Sequence, residues 1–316
     1  MRMQDAMYTR TNFIKSFRGW LLLLLISRVG AAIAQLPTIG NFSLPTSQQP
    51  GPFVSFGQNI VDKNQLIVAF NPSYAYSKGQ SVLEGTPSVL YGITDSASIL
   101  LTVPYAIRYI NGTQNLSGIG DLALDLEYAF YNHDSLKYSD QATFVLSPTF
   151  PVSNLSSVSK KTNPHARVSG FSKKNAPSNF DAFSYFIGTT YSRTYSDWYA
   201  YMAPGVLFID KTDSIAQGTQ YYYNGGIGRQ INTAENKYIF FGLLELNGQY
   251  SDKTKLASQV LPNTGGSILY ATPSLWLSTP KMIAQIGISL PLAQSWYGNQ
   301  SKISYYASAI ITWTIH

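Results

Sequence analysis

Few residues of this chain are equipped for covalent or metal chemistry. Its 316 residues include three histidines, His133, His165 and His316, and no cysteine. No histidine stands from another, or from Asp or Glu, at the spacing that a metal site needs. The G-x-S-x-G nucleophile elbow is missing as well. A barrel phospholipase would need a serine and a histidine together at its outer rim, whereas His133 falls in a turn expected on the inner side. The glycines Gly225, Gly226, Gly228, Gly265 and Gly266 lie in or at the start of strands and lead into no helix, so they are bends rather than phosphate cradles. No catalytic residue, metal or cofactor is expected.

What remains is a set of charged side chains at alternate positions between apolar ones. Asp121, Asp125 and Glu127 interleave with Leu122, Leu124, Leu126, Tyr128 and Phe130. Arg108 holds a comparable place in the preceding limb, Glu84 stands with Thr86 and Ser88, and Glu245 with Asn247 and Gln249. Side chains of this kind lining a pore sort permeants by charge. The same residues also suit a salt-bridge network that fills and stiffens a wet interior, and both readings stay open. Arg108 is expected to reach Asp121 across their hairpin. A second charged group, Lys160, Lys161, Arg167, Lys173 and Lys174, lies with His165 in the stretch from Ser153 to Asp181. It suits a constriction, a contact with lipopolysaccharide phosphates through charge attraction, or a solvated outer loop.

The elements that must position these groups are strands. Between Ala97 and Tyr131, Ile99, Leu101, Val103, Tyr105, Ile107 and Tyr109 share one face, with Ser98, Thr102, Ala106 and Arg108 on the other. Period two means strand. Each limb runs about a dozen residues, roughly twice the usual soluble strand and enough for the roughly 9–11 tilted residues that cross a bilayer. An apolar face toward lipid and charges toward a wet lumen describe a transmembrane β-barrel.

Composition agrees. Charged residues make up 12% of the chain, about half the usual soluble share, and tyrosine is abundant at 23. Tyr221, Tyr222, Tyr223, Phe240 and Phe241 read as membrane-interface aromatics. No stretch reaches the ~18 apolar residues of a membrane helix. The net charge of +6 is concentrated in the first 34 residues, which carry five of the basic residues and one acid. The remainder is nearly neutral, and nucleic-acid binding is not indicated.

Residues 1–34 read as a signal peptide, with a basic start, the apolar run Trp20 to Ile26 and a small-residue end at Ala32-Ile33-Ala34. Residues 35–64, rich in Pro, Gln, Ser and Gly, form an extended segment that either lies outside the barrel or tucks into it as a plug. Residues 65–316 hold twelve expected strands, at 65–77, 81–92, 97–109, 118–131, 141–152, 182–195, 197–210, 218–231, 238–250, 265–278, 281–292 and 302–315. Connections alternate between short and mostly long, as inner turns and outer loops do. Pro72, Pro87, Pro104, Pro148, Pro204, Pro273 and Pro291 fall inside strands, where bulges or kinks are expected. A final strand carrying Tyr305, Ala307, Ala309, Ile311 and Trp313 on one face suits reading by the barrel-insertion machinery.

Tyr91-Gly92-Ile93-Thr94-Asp95 at a tight turn, Gly118-Ile119-Gly120-Asp121 entering a long strand, and the lead-in from Gly51-Pro52-Phe53 through Ser55-Phe56-Gly57 to Asp62-Lys63 resemble the outer-membrane β-barrel family named for the MetA pathway of phenol degradation. That resemblance implies a barrel passing hydrophobic or aromatic small molecules, and assigns no binding residues. The sequence thus describes an all-β chain: an antiparallel up-and-down transmembrane barrel of about twelve strands in a Gram-negative outer membrane. Its expected partners are lipid, lipopolysaccharide and a small permeant. Two alternatives are a structural or adhesive surface protein with a blocked lumen and a soluble β-sandwich.

Overall fold

The computed structural model describes residues 40–111, 114–152, 182–212 and 215–315. The expected signal peptide, and Lys160, Lys161, Arg167, Lys173 and Lys174, lie outside them.

Two short 3-10 turns, Gly40–Phe42 and Thr46–Gln48, precede the strands. These are β1 (Leu66–Ser77), β2 (Gln80–Thr94), β3 (Ala97–Thr102), β4 (Tyr105–Asn111), β5 (Gln114–Ile119), β6 (Leu122–Asp134), β7 (Tyr138–Phe150), β8 (Ser184–Tyr195) and β9 (Trp198–Ile209). They continue with β10 (Ile215–Ala216), β11 (Gln220–Ala234), β12 (Tyr238–Ser251), β13 (Lys255–Leu256), β14 (Gln259–Val260), β15 (Gly266–Ser278), β16 (Met282–Trp296) and β17 (Ile303–Thr314). β10, β13 and β14 make a small separate sheet. The other fourteen form one antiparallel sheet that closes where β1 pairs with both β2 and β17. Because β3 with β4, and β5 with β6, each form one wall strand, the result is a closed twelve-stranded barrel. Closure removes the open edge whose unpaired amides lipid cannot solvate.

The wall breaks where the sequence demands it. Val103-Pro104 separates β3 from β4, and Gly120-Asp121 separates β5 from β6 beside it. Val103 N donates to Pro87 O at 3.1 Å and Gly120 N to Pro104 O at 2.8 Å, so the wall stays stitched. A register shift also falls beside Pro291, between Leu269 and Tyr270. Pro148 in β7 and Pro204 in β9 instead sit in ladders without a shift, against β8 and β11 respectively. The kinks expected at prolines thus occur at some positions and not at others.

The outer surface is apolar to a degree that water would not tolerate. Val89, Leu101, Leu126, Ile187, Leu244, Leu246, Leu275 and Ile286 are all exposed. Aromatics ring both ends of this band. Near the rim with short turns, Tyr195 stacks on Trp198 at 4.2 Å; near the other, Tyr185 stacks on Phe208 at 5.1 Å. Among the described residues no helix is long and apolar enough to cross a membrane, and the crossing is made by strands. An aliphatic band between two aromatic girdles marks an outer-membrane barrel.

Candidate functional site

The alternation that turns leucines to lipid turns a second set of side chains into the lumen. That set combines aromatic rings with many hydroxyl and amide side chains, among them Thr143, Thr190, Ser192, Asn247 and Thr272. Phe186 on β8, Tyr199 and Tyr201 on β9, Tyr222 on β11, Phe241 on β12, and Tyr270 and Trp276 on β15 are all buried there. Tyr221 and Tyr223 are exposed on the outside of the wall, the side that an interface role requires. Tyr222 and Phe241 point the other way and belong to the interior.

Residues 40–64 run inside this wall. The segment begins at the rim with short turns, where Asn41 N donates to Ser196 O at 2.7 Å and Ser43 Oγ lies 3.1 Å from Thr233 Oγ1. Gln48 Nε2 then donates to Thr314 Oγ1 at 2.7 Å, and Ser278 Oγ donates to Gln48 O at 2.7 Å. The chain rises into the barrel, where Phe53, Val54 and Ser55 have no exposed surface. It returns to the same rim, where Lys63 N donates to Asp95 Oδ1 at 2.9 Å and Asn64 N to Gly92 O at 2.8 Å. A Cβ at Gly92 would lie 2.0 Å from Asp62 O, so only glycine lets the segment pass the end of β2.

Two carboxylates hold the segment by its backbone. On β12, Glu245 accepts from Phe53 N at 3.1 Å through Oε1 and from Val54 N at 3.0 Å through Oε2. The Tyr201 hydroxyl donates to the same carboxylate. On β6, Glu127 accepts from Gln58 N at 2.6 Å and Asn59 N at 3.1 Å, here one amide per oxygen. Gln58 is fixed further by its side chain, which donates to Thr190 Oγ1 at 2.7 Å and accepts from Ser192 Oγ at 2.7 Å. A buried carboxylate is tolerable only when its oxygens are met by donors, and charge-assisted bonds of this kind are the stronger ones. Gly57 makes the turn between the two anchors with a positive φ of 81°, and a Cβ there would sit 2.4 Å from the Thr190 methyl.

Between the anchors lies Phe56. Its ring meets that of Phe186 edge-to-face at 4.5 Å and 70°, and Phe186 meets Tyr222 at 5.8 Å and 72°. The wall beneath it is glycine. Gly188 on β8 pairs directly with Gly205 on β9, and added Cβ atoms would come within 2.4 Å and 3.0 Å of the Phe56 ring. Phe53 has a comparable neighbour in Gly287 on β16, at 2.5 Å.

The sequence-derived lumen residues separate on this geometry. Glu127 and Glu245 are brought onto residues 53–59. Asp121 is fully buried, Asp125 half-buried on the lumen side, and Glu84 buried with Oε1 accepting from Thr86 Oγ1 at 2.8 Å. Arg108 does not join them. A register shift between Leu83 and Glu84 pairs Arg108 with Leu83, which is exposed, while its neighbours Val82 and Glu84 are buried. The bulge puts two consecutive residues, Ile107 and Arg108, on the outside and turns Tyr109 inward, opposite Val82. The expected approach of Arg108 to Asp121 is thereby removed. Sequence reasoning missed Phe53, Phe56, Tyr201, Gly188 and Gly205. The one available signal was a pair of glycines at lumen-facing positions of adjacent strands. Among the described residues no group of three or more His, Cys, Asp or Glu side chains is placed to hold a metal ion.

These features define an outer-membrane β-barrel with an internal N-terminal segment. The chain matches no family model and no curated protein. Among solved structures it is similar to the COG4313 outer membrane channel from Pseudomonas putida F1, with 14% identity over 84% of this chain and 99% of that one, at a TM-score of 0.59. It is similar also to the NanC porin, with 11% identity over 78% and 98% and a TM-score of 0.47. At these identities the first likeness speaks for the fold, and the second carries no argument.

Proposed function

We propose that this protein is an outer-membrane channel for small apolar or aromatic molecules, passive in operation, with residues 40–64 as its plug. The observation that carries the reading is the hold of Glu127 and Glu245 on four backbone amides of that segment. A segment fixed through its amides is docked in a defined place, yet nothing covalent prevents its leaving. With the segment in place those carboxylates are engaged, and Phe186, Gly188 and Gly205 around the Phe56 ring give an apolar permeant a place within a lumen otherwise rich in hydroxyl and amide groups. The resemblance to the phenol-degradation barrel family supports the same substrate class. Arg108, outside and near the outer rim, fits lipopolysaccharide phosphates.

Single-channel conductance in planar bilayers tests the proposal, using protein with and without residues 40–64. Small steps from the whole chain and larger ones from the truncated protein are expected. Silence from both, with the barrel shown folded by its heat-modifiable mobility, would refute the channel and favour the surface-protein alternative.

A further inference from the structure

We propose that the slot holding Phe56 is a binding site for a single aromatic ring, in which the Phe56 phenyl is a resident stand-in for the permeant. The inference rests on the channel reading above and goes beyond it by naming the site, its ligand class and the group that competes for it.

The slot has the features of a built ring site. Its floor is the directly paired Gly188 and Gly205, in the interiors of two adjacent strands. Glycine weakens a strand, so its presence there marks a close approach from the lumen. Two rings approach: a methyl on Gly188 would meet the Phe56 ring at 2.4 Å, and one on Gly205 would meet the Phe186 ring at 2.3 Å and the Phe56 ring at 3.0 Å. Its side wall is Phe186, fully buried and edge-on at 4.5 Å, the arrangement that aromatic quadrupoles favour. The ring meets another aromatic ring and a glycine floor, so the class of ligand is an unsubstituted or methyl-substituted arene about the size of phenyl.

The occupant is also placed to yield. Phe56 sits on the short span between the amides held by Glu245 and those held by Glu127, next to Gly57 with its left-handed backbone. An arene entering the slot displaces one ring while both anchors stay engaged. Occupancy by permeant, rather than loss of the whole segment, then opens the path past Phe56.

Toluene is the probe, with the full-length protein in detergent for equilibrium binding and in planar bilayers for conductance. Toluene should raise the conductance of the wild type. Phe56→Ala should start at the raised level and respond no further. Gly188→Ala, which crowds the floor and evicts the Phe56 ring, should also start at the raised level, yet bind toluene about tenfold more weakly than the wild type because the added methyl occupies the slot. Phe56→Leu, which keeps the slot filled without an aromatic ring, should retain the toluene response and guards against misfolding of the glycine variant. Unchanged wild-type conductance in toluene, or equal toluene binding by wild type and Gly188→Ala, would overturn the slot while leaving the channel standing. Absence of conductance from the wild type and from protein lacking residues 40–64 would instead strike the channel reading, and toluene binding would still judge the slot.

Discussion

Replacing Glu245 by alanine tests whether the internal segment is held by its backbone. The substitution leaves Phe53 N–H, Val54 N–H and the Tyr201 hydroxyl without their acceptor in a site where Phe53 and Val54 have no exposed surface. Each orphaned buried donor costs roughly 1–3 kcal/mol, so the docked arrangement loses about 3–9 kcal/mol if nothing rearranges. The segment has an escape: it can leave the lumen and hydrate its amides, which caps the loss at its own docking free energy. The lower end of the range already corresponds to about a hundredfold change in an opening equilibrium. Hydrogen exchange followed by mass spectrometry on detergent-solubilised protein reads this directly. Peptides covering residues 50–57 should lose protection by about two orders of magnitude. Strand peptides such as those from β15 should keep theirs, because the barrel ladder does not depend on the segment. Glu245→Gln, which keeps one acceptor oxygen and turns an amide N–H toward a backbone N–H, should fall between. Protection of residues 50–57 within about threefold of wild type in the alanine variant would refute the reasoning, since three orphaned donors cannot be that cheap.

Two further outcomes follow from the geometry. Arg193→Ala removes a two-point pair with Asp140, at 2.6 and 2.7 Å, and a cation over the Tyr138 ring at 4.3 Å. The guanidinium side chain is 36% exposed, so thermal unfolding of the barrel should show only a small loss of stability, with conductance unchanged. Protein lacking residues 40–64 should prefer cations, because Glu127 and Glu245 then face the lumen without their amides. Reversal potentials in a salt gradient should show that preference, and its persistence after Glu127→Gln and Glu245→Gln together would show that the charge filter lies elsewhere.

The strands were legible because each is a local pattern. β9 occupies Trp198–Ile209 where alternation placed 197–210, and β17 occupies Ile303–Thr314 where it placed 302–315. Lipid outside and lumen inside reinforce the same period-two signal, so chemistry and geometry cannot disagree by one residue without turning leucines inward. Arg108 escaped that logic. Its side is decided by a bulge opposite Leu83 and Glu84, and a bulge is a relation between two strands that neither strand's own pattern records. A place inside the barrel was one of two options the sequence left open for the internal segment, and its anchoring escaped for a different reason. Glu127 and Glu245 were recognisable as lumen residues, but their partners are backbone N–H groups, which every residue except proline carries alike. What the sequence does carry is the counterpart on the wall: Gly188, Gly205 and Gly287 leave room that larger side chains would fill. The two meanings offered by the carboxylates, filter and scaffold, need not compete. A carboxylate whose oxygens each accept a segment amide is scaffold while the segment is docked, and becomes a candidate charge filter when the segment departs.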